Sequence, residues 1–144
     1  LERSMKTLSI RVKAQQKNAK RLAKYLSESR FVKKVYYPGL KNHPNHNLAK
    51  KQMKGFGAMI SFEFIDKIDP SLFLTSLNLI KPSMSLAGVE STMLSPAETS
   101  HYLLTEKERL SQGITNELIR FSVGIENKKD IIMDIEHAIK LSIK

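Results

Sequence analysis

One arginine stands inside a strand-like stretch, Leu118-Ile119-Arg120-Phe121-Ser122-Val123-Gly124-Ile125-Glu126. Ile119, Phe121 and Val123 alternate with Leu118, Arg120 and Ser122, the period of two expected of a strand with one buried face. Arginine is rarely buried without a partner, and its planar fork suits a carboxylate held by two parallel charge-assisted hydrogen bonds. The spacing leaves two readings open. Either the head of Arg120 reaches solvent or a neighbouring Glu, or it receives the acidic group of a ligand. Well upstream, Ser83-Met84-Ser85-Leu86-Ala87-Gly88-Val89-Glu90-Ser91 gathers small residues, hydroxyls and one glycine with little apolar bulk. Such a stretch lets a ligand approach backbone amides closely, with hydroxyls to help, and it serves equally as an ordinary polar loop.

Other constellations are weaker. His43 and His46 are three apart among Asn42, Asn45 and Asn47, but no third ligand lies close in sequence, and a capped helix entry explains the segment better than a metal. His101 and His137 are isolated. Ser85, Ser91 and Ser95 precede His101 without a glycine-flanked nucleophile elbow. Gly55-Phe56-Gly57 is too short for a dinucleotide loop and is followed by a strand pattern, so a strand-entry turn is the better assignment.

The elements that must position these groups fit one domain over residues 1–144, a length able to bury a core. Apolar residues recur at helical spacing from about Arg3 to Ser27 (Leu8, Val12, Ala19, Leu22, Ala23, Leu26), predicting one long leading helix. Phe31 to Tyr37 reads as a strand closed by Pro38-Gly39, and a helix is expected from Asn42–Pro44 to about Met53. Ala58 to Phe64 alternates as a strand, and Asp69-Pro70 starts a helix that runs to about Leu77. Leu79 to Leu86 reads as extended, interrupted by Pro82. Thr105 to Glu108 has capping-box spacing for a short helix ended by Gly113. Asn127 caps a last helix whose apolar stripe is Ile131, Ile132, Ile135, Ala138 and Ile139. The order predicts an α+β fold, a small, mostly antiparallel sheet with helices packed on one side.

Charge is divided unevenly. Residues 1 to 54 hold 15 Lys and Arg against only Glu2 and Glu28, whereas the remainder holds 9 basic and 12 acidic side chains. A basic half admits a nucleic-acid-binding module as an alternative of another class, yet it carries no recognisable nucleic-acid motif, and no nucleic acid is expected as partner. The absence of cysteine excludes disulfides, a thiolate nucleophile and Cys-based zinc, and suits a reducing, cytoplasmic location. No apolar run reaches membrane-spanning length, and none resembles a secretory signal.

Taken in chain order, several segments resemble the carboxyl-terminal domain of the Cys/Met-metabolism family of pyridoxal-phosphate (PLP) enzymes. They are Lys6-Thr7-Leu8 with Arg11, Val35-Tyr36-Tyr37-Pro38-Gly39-Leu40, Gly55-Phe56-Gly57, Ser85-Leu86-Ala87-Gly88-Val89-Glu90-Ser91, Pro96-Ala97, Ser100-His101, Gly113-Ile114, and Ile119 to Glu126. The family includes cystathionine β- and γ-lyases, cystathionine γ-synthase and methionine γ-lyase. The resemblance implies that Arg120 binds the α-carboxylate of a sulfur-containing amino-acid substrate, with Ser85 beside it and Ser100 supporting the carboxylate site. It also implies PLP as cofactor of a homotetrameric parent. Met84 stands where many cystathionine γ-synthases and γ-lyases carry Glu, which can meet the distal ammonium of cystathionine as a thioether cannot. An apolar residue there is closer to some β-lyases and to methionine γ-lyase, which tilts the expectation toward a β-lyase, with cystathionine γ-synthase/γ-lyase or methionine γ-lyase as the alternative. Ala87 replaces a glycine usual in the family. The Schiff-base lysine, the phosphate turn and the pyridinium-partner Asp cannot be placed on this chain. The chain is therefore expected to be a fragment, inactive and cofactor-free alone, completed by its own N-terminal cofactor domain.

Overall fold

The computed structural model describes residues 2–144, so Leu1 lies outside the described residues. Five strands form one sheet in the order β1-β2-β5-β4-β3. They are β1 (Val32–Tyr36), β2 (Met59–Phe64), β3 (Lys81–Pro82), β4 (Thr92–Leu94) and β5 (Leu118–Ser122). All pairings are antiparallel except β3 with β4. The expected α+β architecture is what the chain adopts.

The predicted leading helix is in fact two pieces, α1 (Glu2–Met5) and α2 (Leu8–Glu28), with a turn at Lys6-Thr7. The cause is Arg11, whose Nη2 donates to the Ser4 carbonyl at 2.7 Å and whose Nε donates to Thr7 Oγ1 at 3.1 Å. The Ser4 carbonyl would otherwise serve a continuous helix. Along α2 the buried stripe is Gln15, Ala19, Leu22, Ala23 and Leu26, while Leu8 is exposed.

The next helix, α3 (His46–Gln52), starts later than the expected Asn42–Pro44, because residues 38–45 form successive turns. Helix α4 (Pro70–Thr75) begins as expected, with the Asp69 carboxylate accepting from Ser71 N and Leu72 N. Helix α5 (Glu106–Ser111) has the full capping box at Thr105 and Glu108. Helix α6 (Lys128–Leu141) is capped by Asn127. Of the extended stretch expected from Leu79 to Leu86, only Lys81–Pro82 is strand, and β4 was not anticipated at all.

Cross-strand partners share a face of the sheet. Ile60 faces Phe121, Phe62 faces Ile119 and Val35, and Met93 faces Phe121, all packed in the core with Leu22 and Leu26 of α2 and Ile131 and Ile135 of α6. On the other face lies the row Tyr36, Ser61, Arg120 and Leu94, one residue from each of four strands. The buried Asp134 of α6 ties that helix to the approach of β3. Its carboxylate accepts from the backbone of Asn78 (2.8 Å), Leu79 (3.1 Å) and Ile80 (2.9 Å).

Candidate functional site

Because Ile119 and Phe121 are committed to the core, the pleat turns Arg120 to the opposite face, between Ser61 of β2 and Leu94 of β4. Arg120 is half-buried, and its partners are not carboxylates. Its Nη2 donates to the Met84 carbonyl at 2.8 Å and to the Ser85 carbonyl at 3.3 Å. Its Nε is buried with no partner among the described residues. The ion pairs among the described residues, Lys6–Glu2 and Lys24–Glu28, are exposed pairs elsewhere. Of the partners considered for the head group, no Glu is bonded to it: backbone carbonyls of the Ser83–Ser91 segment take that place.

The chain brings Arg120, Met84 and Ser85 together. Met84 contributes its carbonyl, and its side chain is 65% exposed at the lip. The Ser85 carbonyl also accepts from Thr92 Oγ1 at 2.8 Å, and Ser85 N donates to Ser83 Oγ at 3.1 Å. Ser100 is exposed and shares a 2.8 Å hydrogen bond with His101 Nδ1, whereas the hydrogen bonds of Arg120 go to Met84 and Ser85. Four buried side-chain atoms lack a partner among the described residues: Ser95 Oγ, Arg109 Nη1, Thr115 Oγ1 and Arg120 Nε. All belong to one stretch of chain, residues 95–120. Buried polar groups are nearly always paired, so the unpartnered Arg120 Nε marks the surroundings of that guanidinium as a candidate ligand site.

Several supporting residues escape a sequence reading. Gln15 donates from Nε2 to the Gly88 carbonyl at 2.7 Å and to the Val123 carbonyl at 3.1 Å. Asn18 donates to the carbonyls of Gly124 and Glu126. Ser122 Oγ accepts from Ala87 N, and the Glu126 carboxylate accepts from both Ser91 N and Ser91 Oγ. Gln15 had a signal, a polar residue in register with Ala19, Leu22 and Leu26 on an apolar stripe.

The remaining candidates have structural duties. His46 Nδ1 contacts the Pro38 carbonyl at 2.8 Å and its ring stacks on Phe56, while His43 Nδ1 accepts from Asn45 N. Among the described residues no three His, Cys, Asp or Glu converge as a metal site, and no helix is long and apolar enough to cross a membrane. Gly57 has φ +76°, as a strand-entry turn requires, and its carbonyl accepts from Tyr37 Oη. On the Arg120 face Tyr36 donates to Glu63, and burial together with that carboxylate raises the Tyr36 pKa.

Every lysine is exposed except the half-buried Lys128. Two Ser-x-Lys spacings occur, Ser4-Met5-Lys6 and Ser142-Ile143-Lys144. Lys6 is exposed and pairs with Glu2 at 3.9 Å. The second follows α6, where Ser142 Oγ donates to the Ile139 carbonyl and Lys144 N to the Lys67 carbonyl.

Residues 1–140 match the family model for "Cys/Met metabolism PLP-dependent enzyme". An L-methionine gamma-lyase of Fusobacterium nucleatum subsp. polymorphum is 44% identical over 96% of the chain, which spans 35% of that relative. A cystathionine beta-lyase of Lactococcus lactis subsp. cremoris is 43% identical over 97% of the chain, spanning 37% of the relative. The crystal structure of cystathionine gamma-lyase from Lactobacillus plantarum complexed with L-serine superposes with a TM-score of 0.93 at 41% identity, covering 97% of this chain and 37% of that one. The chain thus spans little more than a third of these three proteins, and relatives with different reactions resemble it almost equally. It belongs to the Cys/Met-metabolism family of PLP-dependent enzymes.

Proposed function

We propose that this chain supplies the substrate α-carboxylate clamp of a PLP-dependent carbon–sulfur lyase, with Arg120 as the clamp and Ser85 beside it. The observation that carries this reading is the state of the guanidinium. Nη2 is anchored on two carbonyls, Nε is buried without a partner, and Nη1 makes no hydrogen bond among the described residues. A carboxylate across the Nη1–Nη2 fork would gain free donors and compete only with the longer, 3.3 Å contact to Ser85. Fixing the carboxylate orients the bonds at Cα for whatever group acts on them.

The family's cofactor supplies the electron sink that makes those bonds labile. The residues present do not form its seat. A Schiff-base lysine is activated by burial or neighbouring cations, and the lysines here are exposed or, for Lys128, half-buried. No step through the cofactor follows from this chain. A separate cofactor domain of the same polypeptide, in a homotetrameric parent, would complete the site. The exposed apolar side chains of Met84, Leu86 and Val89, in the segment whose carbonyls hold Arg120, support such a covering domain.

The reaction proposed is β-elimination from cystathionine, which with one water gives homocysteine, pyruvate and ammonia. Met84 favours it through the family resemblance, because an apolar residue at this position is closer to some β-lyases, and to methionine γ-lyase, than to the γ-synthases and γ-lyases that carry Glu there. In the enzyme that carries this segment, Arg120→Lys should raise KM for cystathionine at least about tenfold and lower kcat, because lysine keeps the charge and loses the fork. Kinetics close to those of the unsubstituted enzyme would end the clamp assignment. Thiol release from methionine, with none from cystathionine, would move the parent to the methionine γ-lyases.

A further inference from the structure

The Arg120 guanidinium leans on the carbonyls of Met84 and Ser85, so its orientation is only as firm as the segment between β3 and β4. That segment is small and polar, and its larger side chains (Met84, Leu86 and Val89) are exposed. Hydrogen bonds must therefore shape it. Ala87 adds to the demand: its φ of +60° is in the left-handed region, which is costly for a residue with a Cβ.

Its last residue, Ser91, is completely buried and is held by one carboxylate. Glu126 accepts from Ser91 N at 2.5 Å and from Ser91 Oγ at 2.9 Å, and the same hydroxyl oxygen accepts from Gly124 N at 2.9 Å. Bonds to an ionised acceptor are roughly twice as strong as neutral ones. Gly124 makes the approach feasible, because a Cβ there would stand 2.5 Å from the Val89 carbonyl oxygen and 2.6 Å from the Glu90 carbonyl carbon. Further along the loop, Ile125 N donates to the Val89 carbonyl at 2.9 Å. The chain leaving β5 thus grips the loop just beyond the strand that carries Arg120.

We infer that Glu126 is a positioning residue for the Arg120 site. Its carboxylate locks Ser91 and thereby the run of backbone whose carbonyls set the guanidinium plane, without itself touching Arg120. This inference rests on the reading of Arg120 as a clamp, yet its test needs neither ligand nor catalysis.

The test uses the 144-residue chain labelled with 15N. Arg120 Nε is buried, so its Hε should exchange slowly enough to follow, and Arg120→Lys identifies the resonance by removing it. Glu126→Ala should speed exchange of that proton at least about tenfold while the amides of Phe62 and Phe121 keep their rates. Glu126→Gln retains a carbonyl oxygen for Ser91 N and should stay within about threefold of the unsubstituted chain. Unchanged Arg120 exchange in folded Glu126→Ala overturns the inference, and so does equal acceleration of the core amides, which would mark Glu126 as a general stabiliser. Should Glu126→Ala fail to fold, Ser91→Ala decides by the same comparison: selective acceleration at Arg120 supports the inference and none overturns it. A normal KM in Arg120→Lys with these exchange results would remove the clamp and leave Glu126 as the arginine's support.

Discussion

Phe121 and Arg120 are neighbours in β5, and the two faces of the sheet they occupy are built differently. Phe121 is completely buried, with Ile60 and Met93 as cross-strand partners, in a core sealed by α2 and α6. Arg120 is half-buried beside Ser61, with Nη2 held by two backbone carbonyls and Nε buried without a partner among the described residues. The first face is apolar and complete. The second is polar and incompletely paired, the condition expected where a protein keeps groups available for a ligand. Stability drawn from one side of a strand lets the other side carry chemistry one residue away.

The largest effect should therefore separate these two neighbours. Phe121→Ala in the 144-residue chain should cost about 3–5 kcal/mol in denaturant unfolding, combining lost transfer energy with a cavity. Arg120→Met should change stability by no more than about 1 kcal/mol, because a thioether replaces the aliphatic stem of a half-buried residue and two neutral acceptors lose one donor. Equal costs for the two substitutions would break the division between faces.

A smaller effect is expected at Asp134, a buried carboxylate on the core side. Its carboxylate ends three backbone donors at once, which sets where the chain enters β3 and hence where the Ser83–Ser91 segment begins. Asp134→Asn keeps the shape but turns one oxygen into a donor facing another donor, and should cost about 2–3 kcal/mol. A loss under about 0.5 kcal/mol in the denaturation midpoint would show that β3 is placed by its pairing with β4 alone.

What was legible in the sequence follows the same division. The core face announced itself through alternation at Ile60, Phe62 and Phe64 and helical spacing at Ile131 and Ile135, and the helix starts through Asp69, Thr105 and Asn127. These are local signals, each contained in a few residues. The break before α2 was hidden because Arg11 reaches back to Ser4 with an unspecialised side chain. Strand β4 is three residues long, paired with a two-residue strand, too short to show a period. Arg120 was legible as an anomaly, but its carbonyl partners were not, since any residue type carries a carbonyl. Glu126 could be read only as part of a family motif, because its partner Ser91 lies 35 residues earlier.

The smallest test concerns Tyr37, a polar atom on the core side that, unlike Arg120 Nε, is paired. Its ring is buried in the core, edge-on to Phe56, and its hydroxyl donates to the Gly57 carbonyl at 3.2 Å. Burial pushes its pKa up from 10.0 to about 12. The folded chain therefore holds this proton more tightly than the unfolded chain does. Stability from the neutral phenol is complete below about pH 10 and is lost as pH rises from there through about 12. Burial raises the pKa of Tyr25 and Tyr36 as well, each bonded to a carboxylate, so the alkaline slope of the intact chain is shared among three rings. Tyr37→Phe should cost about 1 kcal/mol at neutral pH, the worth of one hydrogen bond, and should make the alkaline loss shallower by about one proton. Denaturation midpoints measured across that range for both chains give the slope directly. Parallel curves would mean that water reaches Tyr37 in the fold, and that the core face is less completely closed than its packing implies.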